Sequence, residues 1–312
     1  MRRVAAILLM MAVSASADMG GGDGEGGHSP RAGQDTQPTY SAGLGKRIVL
    51  IGDSYFAGSI SDPILRANIQ EGETSSCWRR MCMSSIIEDY FSANVPGVNV
   101  KNVGVGGSNT RDWSPTDFNI DDVHWQDRME PLFDRIPAGN IAVIHLGGND
   151  ITGIYETPGR GMGKGHISTR EYKRNLARIV DTLTHRGFEH VVIVGTVTPP
   201  NWYEGHAFRP QPNPLWNKFG RRHRLIREAA QDFVELRNHF EGQGGRSGRV
   251  SYLDTHLTPQ AQNQIGYWDG TGNVHPAING HHHIGKLIAE HIYEDVLDLG
   301  TAPSVPHPLY NQ

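Results

Sequence analysis

The sequence predicts an α/β domain in which helices cover both faces of one parallel sheet. Three observations predict it. Short aliphatic and β-branched runs recur at 48–51, 98–103, 140–146, 191–194 and 250–253. Between them lie stretches with apolar residues three and four apart, the period of a helix with one buried side. Small and polar residues follow the runs directly, at the carboxyl ends where open α/β sheets place their ligands. Five strands alternating with helices argue for a single parallel sheet between helix layers, without fixing the strand order.

The first run, 48–51, reads as a buried strand and ends at Gly52-Asp53-Ser54. Those three residues fit a turn with an N-cap, because Asp and Ser are common caps, and they equally fit a presented nucleophile. Residues 84–91 carry Ile86, Ile87, Tyr90 and Phe91 on one helical side. The strand at 98–103 runs into 104–110, which departs from the dinucleotide fingerprint G-x-G-x-x-G because Asn109 stands at its last position. That turn suits the presentation of backbone N–H groups better than a phosphate cradle. A short helix is expected over 125–136, then a strand over 140–146 that ends at Gly147-Gly148-Asn149-Asp150. The Gly-Lys pair within 159–165 lacks the Ser or Thr of a P-loop, which removes nucleotide binding there.

Ser168 and Glu171 form a capping-box pattern. Tyr172, Leu176, Ile179, Val180 and Leu183 then make an apolar stripe, and Gly187 closes the helix. After the strand at 191–194, a helix over 215–240 is expected to turn Leu225, Ile226, Ala229, Phe233 and Leu236 inward. The last strand, 250–253, leads through a polar loop to Asp269 and to Val274-His275-Pro276, and a final helix over 277–299 follows.

Residues 1–17 read as a signal peptide: Arg2 and Arg3, an apolar stretch too short to span a bilayer, then Ala15-Ser16-Ala17. Residues 18–45 read as a disordered Gly- and Ser-containing linker, 46–300 as the domain, and 301–312 as a tail. A secreted or periplasmic protein without a membrane span is expected. Removing 1–17 takes two arginines and no acid, so the formal charge of −4 becomes −6. With no basic excess, a nucleic-acid partner is not expected. The only cysteines, Cys77 and Cys82, are a candidate disulfide in an oxidising compartment. Their five-residue spacing points them about 140° apart on a helix, so pairing needs a loop there; two buried thiols are the other reading.

Four strand ends or turns thus carry unusual chemistry: Gly52-Asp53-Ser54, the stretch from Asn102 to Gly107, Gly147 to Asp150, and Val274-His275-Pro276. Together, and in this order, they resemble the blocks of the SGNH, or GDSL, family of esterases and lipases, over residues 47–298. The resemblance implies a three-layer α/β/α sandwich with a five-stranded, flavodoxin-like parallel sheet. It matches Ser54 to the nucleophile, Gly107 to the block glycine, Asn149 to the block asparagine and His275 to the catalytic histidine. The chemistry suits the residue types. A serine hydroxyl needs a base within hydrogen-bond reach, and an imidazole titrates near neutrality. The backbone N–H groups of Ser54 and Gly107 and the amide of Asn149 are candidate oxyanion-hole donors. The family aspartate normally stands three residues before the histidine, where this chain has Gly272. Asp269, six residues before, is the candidate third member; Asp254 is a substitute, and a Ser–His dyad is the remaining option.

Asp53 and Asp150 are candidate supporting residues, as a structural hydrogen bonder and a cap. His281, His282 and His283 point in different directions on a helix, so neither a metal nor another cofactor is expected. Trp113, Trp202, Tyr203 and Trp268 lie in loops after the strand ends and are candidate stacking groups for sugar or aryl substrates. The expected partner is an ester substrate, an acylated glycan being one candidate. The expected activity is release of a short acyl group, acetyl above all, from a carbohydrate or small ester. A non-catalytic carbohydrate-binding or polysaccharide-assembly protein on the same scaffold, and a sugar O-acyltransferase, are the alternatives.

Overall fold

The computed structural model describes residues 45–58, 81–115, 132–152, 167–198, 214–241, 249–267 and 275–306. All belong to the unit Pro38–Gln312. The five expected strands form: β1 (Arg47–Gly52), β2 (Asn99–Asn102), β3 (Ile141–His145), β4 (His190–Val194) and β5 (Arg249–Leu253). They make one sheet in the order β2-β1-β3-β4-β5, with every pair parallel. In register, Leu50 lies beside Asn102 on one side and Val143 on the other.

β1, β3 and β4 are apolar along most of their length because both faces are covered, whereas the edge strand β2 exposes Asn99, Lys101 and Asn102. Val49, Ile51, Ala142, Ile144, Val191 and Ile193 face one layer, built on α4 (Thr169–His185) and α5 (Pro214–Glu241). Ile48, Leu50, Ile141, Val143, Val192 and Val194 face the other, built on α1 (Met83–Asn94) and α7 (Ile278–His291). The three-layer α/β/α sandwich is therefore a direct consequence of side chains alternating across each strand. Short helices α2 (Thr110–Trp113), α3 (Gly148–Thr152) and α6 (Pro259–Gln264) sit in the connections. No helix among the described residues is long and apolar enough to cross a membrane.

The stripe on α4 is buried as its spacing predicts, from Tyr172 to Leu183. Its cap is half of the expected box. Ser168 Oγ accepts the Glu171 N–H at 3.1 Å, while the Glu171 carboxylate pairs with Arg111 at 2.6 Å. The guanidinium is a stronger partner than a backbone N–H, so it takes the side chain away from the cap. On α5 the inward stripe is shifted. Ile226, Ala229, Ala230 and Val234 are buried, whereas Leu225 and Leu236 are 41% and 53% exposed. At 100° per residue the last two lie roughly 95–115° from the middle of the buried stripe, where they skirt the sheet instead of meeting it. The final helix is regular only to His291 and continues as a π-type turn over Ile292–Val296. Of the helix expected over 125–136, the described part is one 3₁₀ turn, Leu132–Arg135.

Candidate active site

The chain leaves β1, passes through α1 to β2 on one side, then returns to β3 on the other side of β1. The crevice at the carboxyl ends of β1 and β3 is the point where the strand order reverses, and such points bind ligands in open α/β sheets. Ser54 follows β1, Gly107 follows β2, and Asn149 follows β3. The topology alone brings three of the four blocks to one crevice.

The fourth joins them from a distant part of the chain. His275 Nε2 lies 2.8 Å from Ser54 Oγ, across 221 residues of sequence. The turn carrying His275 is fixed next to α7 by the Ala277 N–H, which donates to the Tyr267 carbonyl at 2.8 Å. Ser54 sits on an equally constrained corner. Asp53 Oδ1 accepts the Tyr55 N–H at 3.0 Å, and the Ala57 N–H donates to the Asp53 carbonyl at 3.0 Å. Gly52 is required there: a Cβ would come within 2.8 Å of the His145 carbonyl oxygen on β3.

Gly107 adopts φ +80°, which a glycine takes without the clash that a Cβ would introduce. Its loop is bound to both neighbouring strand ends. The Val105 N–H donates to the Gly52 carbonyl at 2.9 Å. Asn149 Nδ2 donates to the Ser108 carbonyl at 2.9 Å. An amide nitrogen carries two hydrogens, so this bond fixes the side chain and leaves a second N–H for a ligand. No acceptor among the described residues takes the backbone N–H of Ser54 or of Gly107. Among the described residues, three donors in the turns after β1, β2 and β3 therefore remain uncommitted. That is the requirement for stabilising a developing oxyanion.

Behind the nucleophile corner lies a buried titratable cluster. The Asp53 carboxyl is pushed up to about 7, chiefly by burial, against the Tyr55 N–H bond and with a further push from Asp150. Asp150 is raised to about 6 by burial, opposed by its bonds from Thr110. His145, at the end of β3, is lowered to about 4 by burial and is a neutral imidazole at pH 7. Its Nδ1 is 3.9 Å from Asp53 Oδ1, and neither ring nitrogen has a hydrogen-bond partner among the described residues. The Tyr55 ring stacks on it at 4.8 Å and lies 6.2 Å from the His275 ring. Position 145 falls inside an apolar run, so strand periodicity alone hides its place in the site.

Trp113 corrects one expectation. It is fully buried, with Nε1 donating to Ser108 Oγ at 2.8 Å, and does not rim the cleft. The capping box of α2, from Asn109 to Asp112, turns Trp113 inward under the loop that its position in sequence flanks. Trp202, Tyr203, Trp268 and the candidate acid Asp269 lie outside the described residues. Asp254 is exposed and accepts the His256 N–H at 3.0 Å. Cys77 lies outside the described residues too; Cys82 is buried, with Sγ 3.1 Å from Ser84 Oγ. In the histidine run, His281 is buried with Nδ1 accepting the Met83 N–H at 3.3 Å, and His282 Nε2 is 3.3 Å from the Val305 carbonyl. Among the described residues no three His, Cys, Asp or Glu gather as a metal cage.

Solved structures similar to this chain include an alpha/beta hydrolase enzyme from the metagenome of Lake Arreo, Spain, at 18% identity and TM-score 0.47, covering 78% of this chain and 94% of the other. A variant of an acetyl xylan esterase from Geobacillus stearothermophilus aligns at 17% identity and TM-score 0.47, covering 84% and 99%. A lipase/acylhydrolase from Enterococcus faecalis aligns at 16% identity and TM-score 0.46, covering 83% and 99%. No curated protein sequence matches the chain. The family profile described as GDSL-like Lipase/Acylhydrolase matches residues 48–288. That span holds β1 to β5 and all four blocks, and the chain belongs to this family of enzymes acting on carboxylic esters.

Proposed function

We propose that the chain is an exported serine esterase that removes short acyl groups, acetyl foremost, from a carbohydrate or small ester through an acyl-enzyme on Ser54. The observation that carries the mechanism is the 2.8 Å contact of His275 Nε2 with Ser54 Oγ. In the first step Ser54 Oγ bonds to the ester carbonyl carbon while its proton passes to His275 Nε2. The carbonyl oxygen takes the negative charge and receives the N–H groups of Ser54, Gly107 and Asn149. The carbon–oxygen bond to the alcohol then breaks, and the imidazolium returns its proton to the departing alkoxide. Water repeats the sequence with the acyl carbon, and Ser54 is restored. Asp269, near His275 in sequence, is the proposed acceptor of the Nδ1–H, which fixes the tautomer with Nε2 free to take the proton.

The substrate class rests on residue chemistry. The leader-like residues 1–17 favour a site of action outside the cytosol, and the loops after the strands are polar. Trp202, Tyr203 and Trp268, which follow strand ends in the sequence, are the aromatic groups proposed to stack on sugar rings. The test compares acetate release from acetylated xylan, acetylated peptidoglycan and acetylated exopolysaccharide, with p-nitrophenyl acetate as reference and Ser54→Ala as control. Acetate release that the Ser54→Ala variant lacks is the expected result. Hydrolysis of p-nitrophenyl acetate without release from any glycan would remove the carbohydrate assignment; undiminished hydrolysis by Ser54→Ala would remove the mechanism.

A second expectation addresses the oxyanion donors. Asn149→Ala should lower kcat by about 10²–10³-fold, equivalent to roughly 2.7–4 kcal/mol of transition-state stabilisation, with a much smaller change in KM. An unchanged kcat would remove Asn149 from that role.

A further inference from the structure

Two loops that contribute oxyanion donors are clasped by adjacent side chains of one short turn. Asn149 and Asp150, both on α3, reach across to the loop after β2 and grip it on either side of Asn109. Asn149 Nδ2 donates to the Ser108 carbonyl at 2.9 Å. The Asp150 carboxylate receives the Thr110 N–H at 3.1 Å on Oδ1 and 3.2 Å on Oδ2, and it also receives the Thr110 hydroxyl. Thr110 Oγ1 in turn accepts from Asn175 Nδ2 on α4 at 3.2 Å. Asp150, Thr110 and Asn175 are all buried.

We infer that Asp150, acting through Thr110, is a positioning residue for the oxyanion donors: it sets the Gly107 N–H in register with the Asn149 amide. The inference rests on the esterase reading proposed above. A carboxylate is the suitable anchor because it is an acceptor at every lone pair, so it takes a backbone N–H and a hydroxyl from one residue at the same time. Burial excludes competing water, and bonds to an ionised acceptor are stronger than neutral ones. The bond from Asn175 ties the clasp to the long helix α4, so the register of the two loops is referred to the scaffold. The bonds of the Asp150 carboxylate run to Thr110, and its effect passes through the loop it holds. Ahead of Gly107 the loop is held by the Val105 N–H on the Gly52 carbonyl, and beyond it by the Asn149 bond to Ser108; the attachment at Thr110 fixes the far end of the loop as well. A tetrahedral intermediate needs its donors within a few tenths of an ångström of one another's required positions, and misplacement by 1 Å costs about 10²-fold in rate.

The test uses Thr110→Val, Thr110→Ser and Asp150→Asn in the full chain, with Ser54→Ala alongside. Valine keeps the shape of threonine and removes the hydroxyl. Serine keeps the hydroxyl. Asparagine keeps the shape of aspartate but removes its charge and puts an NH2 in place of the oxygen that shares the Thr110 N–H. For p-nitrophenyl acetate, Thr110→Val should lower kcat about tenfold and Asp150→Asn about 10²-fold, with KM little changed and Thr110→Ser close to the unaltered protein. Inhibition by a trifluoromethyl ketone, whose hemiketal oxyanion occupies the donor site, should weaken in parallel with kcat/KM. A merely structural role would lower melting temperature or folded yield while leaving kcat per folded molecule and ketone affinity in place, and that result overturns the inference. So does a Thr110→Val enzyme with full kcat while Ser54→Ala is inactive. Should Asp150→Asn fail to fold, the Thr110 pair decides the matter alone. An active Ser54→Ala variant instead overturns the underlying esterase mechanism, which separates the two failures.

Discussion

Replacing His275 with alanine should lower kcat for p-nitrophenyl acetate by about 10⁴-fold or more, with KM changed only a few-fold. The reason is the 2.8 Å contact to Ser54 Oγ. Without the imidazole the hydroxyl keeps its proton, and the nearest buried groups cannot substitute. His145 is buried behind the Tyr55 ring and is made a weaker base by that burial, and the Asp53 carboxyl is buried and accepts the Tyr55 N–H. The double variant with Ser54→Ala should be no worse than either single one, because groups that act as a unit are not additive. Steady-state kinetics on the three variants checks this; full additivity would mean that Ser54 and His275 act separately.

The second large effect concerns stability. Asp53→Asn should make the protein more stable than its parent at pH 8, with the advantage shrinking as pH falls toward 5. The folded carboxyl is raised to about 7 from an ordinary value of 3.8. A raised folded value means the acid form is favoured on folding. Its contribution is complete below the unfolded value and lost as pH rises through about 7. At pH 8 the folded protein holds an ionised, buried carboxylate at a cost of about 4 kcal/mol, since each tenfold weakening of an acid on folding is worth about 1.4 kcal/mol. Asparagine carries no such charge, and its side-chain oxygen still accepts the Tyr55 N–H. Calorimetric melting of both proteins at pH 5 and pH 8 is the measurement. Parallel melting temperatures at the two pH values would show that Asp53 carries no penalty. His145 acts in the opposite sense within the same range: its value, lowered to about 4, means stability is lost as pH falls from 6.5 through 4, equally in parent and variant.

Much of the site is legible in the sequence because the signals are local. A β-branched run followed by Gly52-Asp53-Ser54 marks both the strand and its exposed end. The same logic applies to Gly107 and Asn149, and the parallel order then brings the three ends together. His275 is readable only as the fourth member of an ordered set, since nothing within its own turn predicts a partner 221 residues away. Long-range pairing is not legible. Asp150 has the sequence position of a cap for its own helix, yet its carboxylate serves Thr110, 40 residues back. Trp113 has the position of a rim residue because its loop follows a strand end; a four-residue helix with a reciprocal cap buries it. On α5, apolar identity predicts burial for Leu225 and Leu236, but which side meets the sheet depends on how the helix is rotated against it.

The reacting groups sit in the first turns after β1 and β3 and just ahead of α7, and the donor loop is stitched to both strand ends by hydrogen bonds within the shared crevice. Among the described residues, the bonds that hold these turns are made by the turns and strand ends themselves. Exchanges of side chains that take no part in these bonds should then alter the choice of alcohol or acyl chain while leaving the frame around Ser54 in place. Evolution, or an engineer, would find recognition and reactivity separable in this molecule.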